Sequence, residues 1–417
     1  MAASGPKIVV FSTLFPNAAQ PYAGLFIRER MFRVGENLPL TVVAPVPWFP
    51  FQSFIRLWRP HFRPSIPFRE CQSGIEVIHP KFLSFPGFLK RLDGYFLAAG
   101  SFMVMRRLRS SGRLDVIDAH FGYPDGYAAT LLGRWLRTPV TITLRGTESR
   151  HSRTPGLKSR LTRALLKADR VFAVSESLRA LAMQLGIAPA KVRVVGNGVD
   201  TARFYPLPRS QTRAALSLPE HAPVLVSVGG LTERKGFHRV IELLPELSKK
   251  FPGLVFLIVG GASAEGDWRG ILEKQVKDLG LEDVVRFLGV LAPDELKVPL
   301  SAADVFVLAT RNEGWANVFL EAMACGLPVV TTDVGGNREV VCRDELGAVV
   351  PFGDPAALLQ AIDRALTRKW DSNVLRAYAC DNEWSKRVAE LTSEFAILTQ
   401  AANPGARRIG LEGASGG

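Results

Sequence analysis

Short, continuous runs of Val, Ile and Leu are the feature that most constrains the fold of this chain. In the first half they occupy positions 8–12, 40–44, 116–120, 141–144 and 171–174. A second series occupies positions 224–228, 255–259, 285–288, 305–309 and 328–332, with segments of helical spacing after Gly236, Trp268, Asp294 and Asn317. Runs without polar alternation are typical of parallel strands that helices cover on both faces. We therefore predict an α/β fold with two doubly wound parallel sheets in tandem.

The length of 417 residues fits two domains better than one. The segment Gly196–Pro208 contains Asn197-Gly198 and two prolines, so this turn-rich stretch marks the predicted boundary. We assign residues 1–200 to an N-terminal Rossmann-like domain and residues 201–380 to a C-terminal one. Residues 384–398 have helical spacing, and the tail 401–417 is rich in Gly, Ala and Arg. We expect that tail to be disordered.

Transmembrane, secretory and metal-binding signals are absent from the sequence. The longest apolar stretch outside the strands, 95–105, is too short to cross a bilayer, and Arg106 and Arg107 follow it at once. The N-terminus has the character of a first strand rather than a secretory signal, so we expect a cytoplasmic protein. The four cysteines are dispersed without metal-ligand spacing. We therefore expect neither a disulfide framework nor a bound metal.

The formal net charge of +13 is large, and its distribution is uneven. Between Phe54 and Arg113 there are eleven Lys or Arg residues against three acids, interleaved with aromatic residues. A second basic group recurs at steps of three and four on a helix predicted from Leu157: Arg160, Arg163, Lys167 and Arg170. Such a stripe is either a solvated helix face or a docking surface for anionic lipid head groups. No recognition motif for nucleic acid accompanies the charge, so we predict no nucleic-acid partner.

A glycine-rich loop follows the predicted strand at 224–228. Its sequence is Gly229-Gly230-Leu231-Thr232-Glu233-Arg234-Lys235-Gly236, and a helix is predicted to follow. Glycines such as Gly230 allow the backbone to approach a ligand closely, and Arg234 and Lys235 add cations next to a helix N-terminus. This combination predicts a diphosphate site. The loop is not a P-loop, because Lys235 precedes its glycine and no Ser or Thr follows.

Two glutamates, Glu313 and Glu321, follow the predicted strand at 305–309. Asn317 can begin a helix, which places Glu321 about one turn inside it and leaves Glu313 in the preceding loop. Glu321 could accept hydrogen bonds from ribose hydroxyls, and Glu313 could hold a sugar. The backbone amides that could bind sugar hydroxyls and phosphate belong to Gly314, Trp315, Ala316, Asn317 and Val318. Either glutamate alone could be a capping or solvent-exposed carboxylate, but the pair and the Arg-Lys loop together favour a ligand site.

Four motifs extend this pattern over nearly the whole chain. They are the Glu-x7-Glu pair with EAMACG-x-PVV behind it, the GG-x4-KG loop, Gly335-Gly336-Asn337-Arg338-Glu339, and Asn197-Gly198-Val199-Asp200. Together they resemble the retaining glycosyltransferases of family four, which have the GT-B architecture of two Rossmann-like domains facing across a cleft. The resemblance implies that Arg234 and Lys235 bind the diphosphate and stabilise its charge during the reaction. It also implies that Glu313 holds the transferred sugar and Glu321 the ribose.

The resemblance has further implications for the N-terminal half and for the chain end. The loop Tyr22-Ala23-Gly24-Leu25-Phe26 corresponds to the family's glycine-containing loop, so Gly24 is a candidate phosphate contact. His120, at the end of the strand 116–120, is expected at the cleft mouth as a sugar-contacting or catalytic residue, although a lone His is more often structural. The segment 145–148, Arg-Gly-Thr-Glu, departs from the family pattern, which leaves its roles open. A closing helix, 381–400, is expected to cross back to the N-terminal domain.

The expected activity is transfer of a sugar with retention, from a nucleotide diphosphate sugar to a lipid-linked or saccharide acceptor. FSTLFPN, PYAGLFIRER and TLRGTE resemble the branch that builds bacterial surface polysaccharides, such as exopolysaccharide, capsule or lipopolysaccharide. We expect no cofactor or metal besides the donor, for which a UDP-sugar is the commonest case, and peripheral contact with the inner face of the cell membrane. Two alternatives remain: a GT-B nucleotide-sugar epimerase, and a non-catalytic nucleotide-sugar-binding protein.

Overall fold

The computed structural model describes residues 5–21, 23–50, 52–58, 62–85, 87, 89–263 and 265–402. The chain divides into two compact units, Met1–Gly196 with Lys386–Gly417, and Asn197–Ser385. The division after Gly196 lies at the first residue of the turn-rich segment, four residues before the boundary that the sequence predicted. Within the predicted disordered tail, residues 401 and 402 end a helix, and residues 403–417 lie outside the described part of the chain.

The first unit is built on a sheet whose strand order is β10-β9-β8-β7-β1-β2-β5-β4, and β3 pairs with β6 separately. Its strands are β1 Ile8–Phe11, β2 Leu40–Val43, β3 Val46–Trp48, β4 Arg69–Gln72, β5 Ile75–Ile78, β6 Lys81–Leu83, β7 Val116–His120, β8 Val140–Leu144, β9 Arg170–Ala173 and β10 Val192–Val194. Its helices are α1 Leu25–Gly35, α2 Gln52–Trp58, α3 Asp93–Ser110, α4 Tyr127–Leu136, α5 Glu148–His151, α6 Pro155–Lys167 and α7 Glu176–Gln184. All described strand pairs are parallel except β4 with β5.

The second unit contains a parallel sheet of strand order β13-β12-β11-β14-β15-β16. Its strands are β11 Val224–Val228, β12 Val255–Val259, β13 Val285–Gly289, β14 Val305–Leu308, β15 Val329–Thr332 and β16 Gly347–Val350. Its helices are α8 Arg209–Ala215, α9 Phe237–Ile241, α10 Leu244–Lys250, α11 Arg269–Asp278, α12 Lys297–Ala302, α13 Asn317–Ala324, α14 Asn337–Val340, α15 Pro355–Thr367 and α16 Ser372–Asp381. The last helix, α17 Trp384–Ala402, begins in the second unit and continues in the first.

Hydrophobic burial explains why the predicted strands are the ones that form. Every residue of β1, β7, β8 and β12 is buried, as expected for strands covered on both faces. The second unit has apolar clusters on both faces of its sheet. In the first unit, Val388, Leu391 and Phe395 of α17 pack in the same core as Ile8 and Val10. The predicted α/β fold with two doubly wound sheets is confirmed.

Sequence patterns missed or misplaced several elements. The strands β3, β4, β5, β6, β10 and β16 were not predicted, because each has only three or four residues and most are interrupted by polar residues. Arg170 lies in β9 rather than on the basic helix, and its guanidinium pairs with Glu394 at 2.8 Å. The apolar stretch 95–105 lies inside α3. No helix in the described part of the chain has both the length and the apolar character to span a bilayer.

A buried arginine connects the starts of the two central strands of the second sheet. Arg213 is 1% exposed and donates to Asp304 Oδ2 at 2.9 Å and to the carbonyl oxygen of Ala302 at 3.0 Å. The same carboxylate oxygen accepts from the backbone N–H of Val224 at 2.8 Å. Val224 begins β11 and Asp304 immediately precedes β14. This network therefore aligns the two strands whose carboxyl ends carry the loops described below.

Replacing Arg213 with Met should lower the free energy of unfolding by about 3 kcal/mol, because it leaves Asp304 and several buried carbonyls without their donor. The matched control is Arg209→Met. Arg209 also pairs with Asp304, but its side chain is 50% exposed, so its loss should cost less than about 1 kcal/mol. Urea unfolding of both variants measures the difference. Equal losses would show that the buried network does not hold the strands.

Candidate functional site

The candidate site of the second unit lies where the strand order of its sheet reverses. Successive strands run outward from β11 in one direction and from β14 in the other, and β11 and β14 are neighbours. Ligands of open α/β sheets bind beyond the carboxyl ends of the strands at such a point. The loops after these two strands are joined here. The backbone N–H of Arg311 donates to the carbonyl of Arg234 at 2.8 Å, and Thr310 Oγ1 donates to the same oxygen at 3.1 Å.

The three charged residues predicted for this site meet in one cluster. Glu313 Oε1 accepts from Lys235 Nζ at 2.6 Å and from Arg234 Nη1 at 3.1 Å. The Glu313 side chain is 10% exposed and that of Lys235 is 16% exposed. Because both ionic partners are largely removed from water, the attraction is less screened than at a surface, and the cations are held in place.

Arg234 has a second, more exposed acidic partner that the sequence did not indicate. Glu265 accepts from Arg234 Nε at 2.8 Å and from Nη2 at 2.9 Å, a bidentate arrangement. Glu265 is 51% exposed, whereas Glu313 lies on the inner side of the guanidinium. Although burial opposes it, hydrogen bonding by Glu265 and the charge of Glu313 raise the pKa of Arg234. The outer edge of Arg234 thus faces a carboxylate that a ligand anion could replace.

Glycines permit the close approach of the loops around this cluster. Gly236 has φ of +77°, and an added Cβ would lie 1.9 Å from the carbonyl oxygen of Ala309. Gly335, in the loop after β15, has φ of +56°, and an added Cβ would lie 1.6 Å from the carbonyl oxygen of Glu313. The Gly335-Gly336 motif therefore supports the backbone of the glutamate that holds the cations. An added Cβ at Gly230 would lie 2.9 Å from Ser263 Cβ.

The helix predicted after Gly236 differs from expectation. Residues Glu233–Lys235 form a single 3-10 turn, and α9 has only five residues before the chain continues into α10. A helix that short has little macrodipole to offer an anion. The positive character of this loop therefore comes from the side chains of Arg234 and Lys235.

The helix α13 begins at Asn317, as the sequence predicted. Ala316 occupies the N-cap position without a side-chain cap, and its carbonyl oxygen accepts from the backbone N–H of Phe319 at 3.1 Å. Asn317 Oδ1 accepts from Asn197 Nδ2 at 2.8 Å, which brings the Asn197-Gly198-Val199-Asp200 motif to this helix start. Glu321 is half-buried one turn inside α13. Among the described residues, Trp315 Nε1 is buried without an acceptor.

In the first unit, His120 ends β7 as predicted, but its imidazole is fully buried rather than open at a cleft mouth. Its Nδ1 accepts from Arg145 Nε at 3.1 Å, and its Nε2 lies 3.4 Å from Asp118 Oδ2. Burial and the charge of Arg145 lower the pKa of His120 to about 4, so the ring is neutral at physiological pH. Phe121, the next residue, has φ of +72°, which is unusual for a bulky side chain and is found at functional sites.

Two buried carboxylates that the sequence did not assign hold the loops around His120. Glu148 accepts from the backbone N–H groups of Gly122 at 2.9 Å, Arg145 at 3.1 Å and Gly146 at 2.8 Å. In the segment 145–148, which departs from the family pattern, Glu148 therefore has a positioning role, because its three donors lie in two loops.

Gly24, at the N-cap of α1, has φ of +71°, and an added Cβ would lie 2.6 Å from the carbonyl oxygen of Leu14. Tyr22 lies outside the described residues.

Asp125 connects the loops after β1 and β7, the two strands at which the order of the first sheet reverses. Its Oδ1 accepts from the backbone N–H of Thr13 at 2.5 Å, and its Oδ2 accepts from Thr13 Oγ1 at 3.2 Å. Burial raises the pKa of Asp125 to about 7, and the charge of Glu148 contributes to the rise. In a sequence, an Asp-Gly pair such as Asp125-Gly126 usually indicates a turn, so nothing in the sequence indicated that Asp125 connects two loops.

Gly335→Ala should lower the free energy of unfolding by about 3 kcal/mol, because the left-handed backbone disfavours a Cβ and the Glu313 carbonyl occupies its place. Gly353→Ala is the matched control. Gly353 has φ of +85° with nothing within 4 Å of an added Cβ, so only the backbone cost of about 1 kcal/mol applies. The measurement is urea unfolding, and equal losses would contradict a steric role at Gly335.

Asp125→Asn should change how stability depends on pH. The folded pKa of Asp125 is raised, so the native state retains a proton that the unfolded state loses, and its contribution to stability falls as pH rises toward 7. The Asn Oδ1 can still accept from the backbone N–H of Thr13, and its Nδ2 can donate to Thr13 Oγ1, so both contacts remain without a titrating group. The stability of the variant relative to the natural protein should therefore rise by about 2 kcal/mol between pH 5 and pH 8. A pH-independent difference in urea unfolding would contradict this assignment.

Comparison with known proteins agrees with this geometry. Residues 208–381 match the family described as Glycosyl transferases group 1, and residues 54–203 match Glycosyltransferase Family 4. A glycosyltransferase of Bacillus subtilis named for teichuronic acid biosynthesis, TuaC, is 27% identical over 391 residues, covering 92% of each chain. The GDP-mannose-dependent alpha-(1-6)-phosphatidylinositol monomannoside mannosyltransferase of Mycolicibacterium smegmatis is 32% identical over 304 residues, covering 69% of this chain and 78% of that protein.

Among solved structures, HepE of Anabaena in complex with UDP and glucose is similar to this chain with a TM-score of 0.72. The identity is 21%, and the likeness covers 93% of this chain and 99% of HepE. It supports the fold of two Rossmann-like units. The sequence relationships, the two parallel sheets and the cluster at the point of strand reversal together show that this chain belongs to the group 1 glycosyltransferases and has the GT-B fold.

Proposed function

We propose that this glycosyltransferase transfers a sugar, with retention and without a metal ion, from a nucleotide diphosphate sugar to a lipid-linked or saccharide acceptor. The observation that carries the donor assignment is the meeting of Glu313, Arg234 and Lys235 at the reversal point of the second sheet. Such a group pairs two fixed cations with a carboxylate, which suits a ligand that combines a diphosphate with sugar hydroxyls.

The donor diphosphate replaces acidic side chains at the cations. In the ligand-free arrangement, Arg234 and Lys235 are balanced by Glu265 and Glu313. The diphosphate displaces the exposed Glu265 from Arg234. It also replaces Glu313 as the ionic partner of Lys235. Glu313 is then available to accept hydrogen bonds from hydroxyls of the sugar, and the amides of residues 314–318 bind the remaining oxygens. Glu321 holds the ribose.

During transfer, the bond between the anomeric carbon and the phosphate oxygen breaks, and the acceptor oxygen bonds to the same face of the sugar. A donor phosphate oxygen takes the acceptor proton. Negative charge develops on the leaving diphosphate, and Arg234 and Lys235 stabilise it in place of a metal ion. His120 and Gly24 retain the sugar and phosphate roles that the family resemblance implies. Because His120 is buried and neutral, its role is a hydrogen bond rather than a charge.

The acceptor and the pathway are proposed from the relatives. TuaC is named for teichuronic acid biosynthesis, and the mycobacterial relative for a phosphatidylinositol mannoside. The first name supports a surface-polysaccharide acceptor and the second a lipid-linked one. HepE was solved with UDP and glucose, which favours a UDP-sugar donor, whereas the mycobacterial relative is named for GDP-mannose. A thermal-shift screen with UDP-, GDP- and ADP-sugars identifies the base.

Lys235→Gln should weaken binding of the nucleotide sugar that stabilises the protein in this thermal-shift screen by about tenfold to a hundredfold. The reason is that the variant lacks a charged hydrogen-bond donor to the diphosphate. Turnover should fall by about a hundredfold or more as well. The control is Lys250→Gln, which removes an equally short ion pair, with Asp363 at 2.6 Å, on the surface. Isothermal titration and initial rates measure both. Unchanged donor affinity in Lys235→Gln would remove Lys235 from the diphosphate site.

The stereochemistry has its own readout. The coupling constant of the anomeric proton in the product, measured by NMR, should match the configuration of the donor. A product of inverted configuration would overturn the proposal of retention and leave the donor site unaffected.

A further inference from the structure

The segment 145–148, whose roles the sequence left open, places Arg145 directly against His120. Arg145 follows β8 and His120 ends β7, and these two strands are neighbours in the first sheet. Arg145 Nε donates to His120 Nδ1 at 3.1 Å. An arginine side chain has N–H donors and no acceptor, so Nδ1 accepts and carries no hydrogen of its own. A single ring hydrogen therefore lies on Nε2.

The second ring nitrogen faces a carboxylate that favours the same tautomer. Asp118 Oδ2 lies 3.4 Å from His120 Nε2, and Asp118 Oδ1 accepts from Thr141 Oγ1 at 2.6 Å. With its hydrogen on Nε2, the imidazole turns an N–H toward the carboxylate and a lone pair toward the guanidinium of Arg145. The opposite tautomer would set N–H against N–H on one side and a lone pair against a carboxylate on the other. Both contacts therefore select hydrogen on Nε2.

The charges around the ring oppose a second proton. Those that face the imidazole are Asp118 of β7, Arg30 of α1 and Arg145 after β8. Two cations thus act against one carboxylate, and the ring is fully buried, where charges are less screened than in water. Burial, followed by the charge of Arg145, lowers the pKa of His120. The other nearby carboxylate, Glu148, accepts from the backbone N–H of Arg145 at 3.1 Å.

Two aromatic side chains hold the guanidinium of Arg145 in this place. Its central carbon lies 5.1 Å from the centre of the Phe26 ring in the first turn of α1, within the range of a cation–π interaction. Phe26 in turn packs edge-on against Phe121, the residue after His120, with ring centres 6.4 Å apart. Because this stack joins α1 to the turn after β7, the arginine and the imidazole keep a fixed mutual geometry.

We propose that Arg145 is a positioning residue for His120, which it holds as a neutral imidazole with its hydrogen on Nε2. Among the described residues, none makes a hydrogen bond with Nε2. The contact of Nε2 with Asp118 is longer than an ordinary N–H···O bond. The Nε2 hydrogen is thus the one that the hydrogen bond proposed for His120 uses. That use rests on the proposed function, whereas the protonation state follows from contacts of the first unit alone.

The same geometry argues against acid–base roles for His120. A general base needs a free lone pair, but Arg145 occupies the lone pair of Nδ1. A general acid needs an imidazolium near neutral pH, which the two cations oppose. The arrangement therefore favours a fixed hydrogen-bond donor, which agrees with transfer of the acceptor proton to a donor phosphate oxygen.

The test is nuclear magnetic resonance of the full chain with nitrogen-15 in its histidine rings. The chain has six histidines, and the signal absent from His120→Gln identifies that of His120. From about pH 5 to pH 8 the natural protein should show a protonated Nε2 and an unprotonated Nδ1, without titration. Arg145→Met keeps an unbranched side chain against Phe26 but lacks the donor and the charge. In this variant the imidazolium population at about pH 6 should rise about tenfold, and hydrogen on Nδ1 should appear.

Two variants separate the effect from a general loss of structure. Arg145→Lys keeps a cation that can only donate, so it should restore the neutral ring with hydrogen on Nε2. Arg150→Met removes an exposed arginine of α5 and should leave the His120 signals unchanged. Hydrogen on Nδ1 in the natural protein would overturn the proposal even if Arg145→Met does not fold. An unchanged spectrum in folded Arg145→Met would overturn it as well.

Initial rates separate this inference from the proposed function. With the nucleotide sugar that the thermal-shift screen identifies, the rate of Arg145→Met should fall more steeply than that of the natural protein as pH decreases toward about 5, because the second proton changes the ring. If the spectrum changes as expected and the pH dependence of the rate does not, the role proposed for His120 in transfer fails. The positioning of the ring by Arg145 then still stands.

Discussion

The arrangement of the second unit depends on one carboxylate that two loops share. Glu313, in the loop after β14, holds Lys235 and Arg234 from the loop after β11. In a sheet whose order reverses between these strands, the two loops leave a gap in which a ligand can lie. The ion pairs span that gap, and the glycine at 335 allows the third loop to support Glu313 from behind. Charge at the site is thereby fixed before any ligand arrives, which is what electrostatic stabilisation of a leaving group requires.

The first unit uses the same device with different residues. Its sheet reverses between β1 and β7, and Asp125 connects the loops after those strands through Thr13. Glu148 gathers three backbone N–H groups around the turn that follows His120. In the first unit the two buried carboxylates satisfy backbone N–H groups of loops, whereas the half-buried Glu313 of the second unit satisfies two charged side chains. The difference is that the cations of the second unit bind the carboxylate of Glu313 directly, whereas in the first unit the guanidinium of Arg145 donates to the neutral imidazole of His120.

Sequence patterns located most of the strands and the loops of the candidate site, because buried parallel strands need continuous apolar runs and the predicted phosphate loop needs glycine beside cations. They located Arg234, Lys235 and Glu313 correctly on loops of neighbouring strands. The sequence patterns did not predict contacts between residues that lie far apart in the chain. Glu265 lies 31 positions from Arg234, and no local pattern announces such a pair. Arg170 fitted the helical spacing of the basic stripe, yet the chain leaves the helix at Lys167 and Arg170 enters a strand.

The sequence by itself determined the fold class, the tandem sheets and which loops carry the glycines and charged residues of the candidate site. The sheets follow from hydrophobic periodicity, and the loops follow from the backbone freedom of glycine. Only the tertiary structure decided which carboxylate faces which cation, that His120 is buried against Arg145, and that Asp125 connects the loops after β1 and β7. These facts depend on contacts between residues far apart in the chain. Such contacts arise from packing of whole elements, which no local pattern of residues encodes.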